Sequence, residues 1–212
     1  MKGLFAVGKD ALLDRVILDG RPANCLVQKL DSWTASMASA TCLVDICVGP
    51  GEVLLCSGED LRDFFYQFKV TPSRTARNTL AEPLNLAEAD KVFGKQFEDG
   101  RGLTYCGLSS LAMGDTNACE FAQASHLAMM LFHEVLFSHE LLHMHGKVPR
   151  SFFCGGIITD DLVLLEKCLK EQFEAVGNGF ETEADRRISL ALEGYKHRKL
   201  EHNPGKEFRN QS

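Results

Sequence analysis

Residues 152–158 and 162–165 are apolar runs separated only by Thr159, Asp160 and Asp161. Runs this short, bounded by turn residues and rich in branched side chains, predict two buried strands joined as a β-hairpin with an acidic tip. Residues 53–56 read as a further strand. It leads to Asp60 and Asp63, with Phe64, Phe65, Tyr66 and Phe68 close behind. Residues 16–18 make a short strand that runs into a polar turn at Pro22, and residues 103–114 read as a strand ending in a turn. Elsewhere the period changes to that of a helix. Phe121, Ala124, Ala128, Leu131 and Val135 recur at helical spacing behind Asn117, a capping residue with Glu120 as its reciprocal partner. Further helices are predicted over residues 86–93, 138–145 and 167–176. After the break at Gly177, Asn178 and Gly179 a long helix follows, with Ala184, Ile188, Ala191, Leu192 and Tyr195 on one face.

A length of 212 residues, 45% of them apolar, is enough for one substantial domain or a two-lobed one. The N-terminus offers only a four-residue apolar patch between Lys2 and Lys9, too short for a signal sequence, and no run approaches a membrane span. The expectation is an intracellular protein of cytoplasm or nucleus, not secreted and not membrane-bound. Eight cysteines lie in apolar contexts without a CxxC pair, which argues against a zinc ribbon or disulfide scaffold and reads mostly as core packing. The net charge of −6 excludes a strongly basic nucleic-acid binder, though not a local basic channel.

Two motifs point to chemistry. Asp is common at turns because its side chain bonds its own backbone, but adjacent carboxylates on a rigid hairpin also suit hard divalent cations, which take oxygen ligands. The sequence HELLH, residues 139–143, satisfies H-E-x-x-H. On a helix, His139 and His143 would share a face as zinc ligands, Glu140 would act as general base, and Glu181 in ETEAD would be a third ligand. That is a zinc metallopeptidase. Arg15 and Arg21 flank the first strand, either as surface residues or as a guanidinium fork for phosphate.

Taken in order along the chain, several blocks resemble the reverse transcriptase domain of retrotransposon and retroviral polymerases. RVILDGRPAN is similar to that family's R-x-h-x-D-x-R-x-x-N fingers strand, and DLRDFFYQFKV to its first palm motif. AMGDTNACEFAQ is similar to G-x-x-N-A-P-x-x-F-Q, ITDD to the Y/h-x-D-D hairpin, and NPGKEF to the lysine-bearing turn that follows. The resemblance spans roughly residues 9–208. It implies an α+β fold: a polymerase palm of antiparallel strands backed by helices over residues 51–212, partial fingers over residues 1–50, and no thumb.

By the same resemblance, Asp60, Asp160 and Asp161 would hold two Mg²⁺ (or Mn²⁺) ions ~3.5–4 Å apart for nucleotidyl transfer. Phe65 would exclude a ribose 2′-hydroxyl, Lys9 and Arg15 would contact the triphosphate, and Gly114, Asn117 and Gln123 would shape the nucleotide and template pocket. Lys206 would protonate the departing pyrophosphate. The implied partners are an RNA template, a DNA primer and deoxynucleoside triphosphates, with thumb and RNase H supplied by a longer polyprotein. Ile158, Asp115, Cys119 and Glu59 depart from the family pattern. Ordered blocks outweigh a single H-E-x-x-H match, so the peptidase ranks second. The third alternative is an inactive remnant that binds nucleic acid without catalysis.

Overall fold

The acidic hairpin forms one side of a four-stranded antiparallel sheet. The structure is a computed structural model that describes residues 2–8, 11–12, 14–94, 103–176 and 181–212. β6 (Phe153–Ile158) and β7 (Asp161–Leu169) pair through a two-residue turn, and β7 pairs in turn with β3 (Glu52–Asp60). The fourth strand is β8 (Phe208–Gln211), giving the order β6-β7-β3-β8. Leu162, Leu164 and Leu165 are buried, as the apolar run requires. β7 continues to Leu169, so the predicted helix starts late, as α6 (Lys170–Val176).

Two compact units emerge from the contacts. One comprises Met1–Lys29 with Phe65–Ala118, the other Leu30–Phe64 with Cys119–Ser212. The first holds the hairpin of β1 (Gly3–Gly8) and β2 (Asp14–Asp19), the two-residue strands β4 (Leu84–Asn85) and β5 (Leu103–Thr104), and three short helices. These helices are α1 (Arg21–Asn24), α3 (Pro72–Arg77) and α4 (Leu86–Phe93). α4 has the predicted bounds because Asn85 and Glu88 close a capping box and Gly94 ends it at φ 60°. The predicted strand over 103–114 shrinks to Leu103–Thr104. α2 (Phe64–Gln67) lies at the border between the units.

The second unit holds the four-stranded sheet, α5 (Ala118–Phe132) apart from its first residue, α6 and α7 (Glu183–Arg198). α7 contacts β3 and β7 and buries Ala184, Ile188, Ala191 and Tyr195, four of the five residues expected on that face. α5 differs from expectation. Phe121, Ala128 and Leu131 are exposed, and the buried face carries Ala122, Gln123, His126, Leu127, Met129 and Met130. A helix apolar on several sides leaves its orientation to its neighbours, and here the buried amide and imidazole find partners on the acidic hairpin.

HELLH is not an α-helix. Only Ser138–Glu140 form a 3₁₀ turn, after which the chain extends and Leu141 bridges Gly155 of β6 in parallel. Leu142 donates its N–H to the Gly155 carbonyl at 2.7 Å and packs with Cys42, Cys154 and Leu165. Of the eight cysteines, only Cys42 and Cys154 are buried. No described helix is long and apolar enough to cross a membrane.

Candidate active site

Asp60, Asp160 and Asp161 all lie at one end of the sheet, though their carboxylate oxygens do not form a trio within 4.8 Å of one another. Asp60 is the last residue of β3 and stands directly opposite Asp161, the first residue of β7, in the antiparallel register. Asp160 precedes Asp161 in the turn, and its carbonyl accepts the Leu61 N–H at 3.1 Å. This end of the sheet opens on a cavity of about 270 Å³ lined by Glu59, Asp60, Ile158, Asp161, Leu162, Val163, Lys206 and Phe208.

Asp60 is buried, and both of its carboxylate oxygens are engaged. Lys206 Nζ donates to Oδ1 at 3.1 Å and Asn203 Nδ2 to Oδ2 at 3.0 Å. The Asn203 N–H also donates to the Asp60 carbonyl at 2.8 Å, so the Asn203–Lys206 turn wraps this aspartate. Asp161 is pushed up to about 6. Partial loss of water is the largest cause, followed by the charges of Asp160 and Asp60 and a hydrogen bond with Asp60, with Lys206 opposing. The site is short of positive charge. Lys206 is raised in turn, first by its hydrogen bond to Asp60.

A shell of buried polar groups from α5 holds the hairpin tip. Gln123 Oε1 accepts the Thr159 N–H at 2.9 Å, and Gln123 Nε2 donates to the Ile157 carbonyl at 3.2 Å. His126 lies 2.8 Å from the Thr159 carbonyl through Nδ1 and 2.9 Å from the Tyr195 hydroxyl through Nε2. A carbonyl only accepts, so Nδ1 carries the proton and Nε2 accepts from tyrosine. Burial lowers His126 to about 4, against the opposing bond to Thr159, and raises Tyr195. His126 sits among the apolar residues of α5, and no local pattern separates it from an ordinary core histidine.

The other expected site residues are placed as follows. Lys9 lies outside the described residues. Arg15 is in β2, paired with Val7. Phe65 is buried on α2. Gly114 adopts φ 96°, where a Cβ would meet the Leu18 carbonyl oxygen at 2.1 Å, so only glycine fits. Asn117 is buried and donates to the Gln28 carbonyl at 2.9 Å. Arg15, Phe65, Gly114 and Asn117 belong to the first unit. In that unit Asp115, the acid that departs from the family pattern, is ion-paired with Arg74 and with Lys2 at 3.6 Å.

The peptidase residues do not assemble. Glu140 is buried and bound by Arg187 at 3.2 Å, and His139 is exposed and stacked on Phe137. Glu181 is exposed ahead of α7. Among the described residues, the one trio of metal-ligand atoms within 4.8 Å of one another is Glu59, His202 and Glu207.

Compared by sequence, the chain matches no protein-family model and no curated protein. Compared by structure, it is similar to a foamy viral protease-reverse transcriptase in complex with double-stranded DNA. That match has a TM-score of 0.58 at 12% identity and covers 99% of this chain and 27% of the other. The protease-reverse transcriptase of prototype foamy virus gives a TM-score of 0.59 at 14% identity, over 99% of this chain and 21% of the other. The fold is therefore reverse-transcriptase-like, and the chain spans about a quarter of the length of these neighbours.

Proposed function

We propose that the chain carries the nucleotidyl-transfer core of an RNA-directed DNA polymerase, with the sheet-bearing unit as palm and the other unit as fingers. The observation that carries this reading is the pairing of Asp60 with Asp161, Asp160 adjacent, at the mouth of a cavity also lined by Lys206. Carboxylates brought to one strand end with little compensating charge supply oxygen donors of the kind a hard divalent cation takes. Asp161 is raised first by burial and then by the neighbouring charges of Asp160 and Asp60, which is consistent with this reading.

Asp60, Asp160 and Asp161 would hold Mg²⁺ or Mn²⁺, which supplies Lewis acidity toward a primer 3′-hydroxyl and the departing pyrophosphate. The chain's own residues do the positioning. Gln123 and His126 fix the turn that presents Asp160, and Lys206 serves as counter-ion to Asp60 from an exposed, movable side chain. Released from Asp60, its ammonium is free to meet negative charge on a leaving phosphate. The substrates in this reading are deoxynucleoside triphosphates on an RNA-templated DNA primer.

Templated primer extension with the purified chain in Mg²⁺ tests it. Asp160→Asn should reduce extension by roughly 100-fold or more, as loss of a group that stabilises transition-state charge does. Full activity in that variant would sink the assignment. Template binding without extension in the wild type would favour the non-catalytic remnant.

A further inference from the structure

Glu59 sits one residue before Asp60 on β3, and its carboxylate is wholly buried. Arg209 takes Oε1 in an ion pair. Oε2 has no hydrogen-bond partner. Facing it at 3.5 Å is Nδ1 of His202, which is also buried and also lacks one. A carboxylate oxygen and an imidazole nitrogen turned toward each other out of water, beyond the usual N–H···O range of about 2.7–3.2 Å, are a pair waiting for a cation. The exposed carboxylate of Glu207 completes the group, with all three ligand atoms within 4.8 Å of one another. Two tetrahedral ligands at ~2.0–2.1 Å from zinc stand about 3.3 Å apart, close to the spacing of Glu59 and His202.

We propose that Glu59 Oε2, His202 Nδ1 and a Glu207 oxygen bind a borderline divalent cation of the Zn²⁺ type, with water as the fourth ligand. Mixed imidazole and carboxylate donors suit such an ion, whereas the neighbouring all-carboxylate cluster suits Mg²⁺ or Mn²⁺. Arg209 borders the three ligands. That guanidinium neutralises the other oxygen of Glu59, lies 3.5 Å from Glu207, and is anchored independently on the Gly58 and Phe208 carbonyls. The ion's structural effect is to staple the segment from His202 to Glu207, which contains the turn bearing Asn203 and Lys206, onto β3 beside Asp60. The site does not depend on the polymerase reading.

Zn²⁺ alone is the probe. Accessible thiols of the full chain are first alkylated so that exposed Cys25, Cys47 and Cys119 do not contribute. Competition with a chromophoric chelator should then show about one equivalent of bound zinc, and Co²⁺ in its place should give the intense visible absorption of a four-coordinate ion. His202→Ala and Glu207→Gln, both at partly exposed positions, should each weaken binding at least tenfold, and Asp160→Asn should leave it unchanged. Absence of saturable zinc binding overturns the proposal. So does binding indifferent to both His202→Ala and Glu207→Gln, or binding lost in Asp160→Asn, which would move the ion to the aspartate cluster.

Discussion

Thr159 is β-branched, yet it sits at φ 58°, in the left-handed region that such residues avoid. Both of its backbone polar groups are held by α5, the N–H by Gln123 and the carbonyl by His126, so the strained residue that aims Asp160 is fixed from outside the hairpin. The two perturbed groups around it respond to pH in opposite directions. His126 titrates near 4 when folded and near ~6.5 when unfolded. Its contribution is therefore present above pH ~6.5 and lost as pH falls toward 4, about 3 kcal/mol in all. Asp161 titrates at about 6 when folded and near ~3.9 when unfolded, so stability present below ~3.9 is lost as pH rises toward 6. The wild-type profile should be flatter than either contribution. His126→Leu should cost about 2 kcal/mol at neutral pH through lost buried hydrogen bonds, but close the gap to wild type on acidification. Asp161→Asn should gain on wild type between pH 4 and 6. Urea unfolding across this range is the check, and profiles parallel to wild type would refute both assignments.

At the scale of elements, the Gly155-Gly156 pair explains why HELLH is extended. A Cβ on Gly156 would lie 2.6 Å from Ala38 Cβ and 2.8 Å from the Leu142 carbonyl oxygen. The chain can press against β6 only because those positions are bare, and the edge pairing it gains there outweighs the helical tendency of Leu141 and Leu142. Gly156→Ala should therefore destabilise by about 1–3 kcal/mol, the range for overpacking. Gly3→Ala is the control, since its Cβ would make an ordinary 3.7 Å contact with Asp19 Cβ. Equal unfolding midpoints for the two variants would show that the close approach at β6 is absent in solution. The hairpin itself was legible in the sequence because short apolar runs and turn chemistry are local. The buried face of α5 was not, because apolar residues occur on several sides of that helix.

Over the whole molecule, a net charge of −6 meets a concentration of acids at one end of the sheet, where Asp60, Asp160, Asp161 and Glu59 are offset by Lys206 and Arg209. A divalent cation that binds only the folded state must then stabilise it. With Mg²⁺ at tenfold excess over its dissociation constant the gain should be about 1.4 kcal/mol, reversed by chelation and absent in Asp60→Asn. Thermal unfolding midpoints with and without Mg²⁺ measure this, and an equal gain in Asp60→Asn would place the ion elsewhere.

The strands at residues 53–56 and 152–165, the acidic turn between the last two, and the order of the blocks were determined by the sequence alone. Period, turn residues and motif spacing act over a few residues, and they can be read without knowing what packs where. The tertiary structure decided which groups converge. Asn203 and Lys206 reach Asp60 across 143 and 146 residues of chain, and His126 reaches Tyr195 across 69. The zinc motif dissolved for the same reason. In place of a helix, Glu140 is held by Arg187 and the Leu142 N–H by the Gly155 carbonyl, long-range contacts that no local pattern announces.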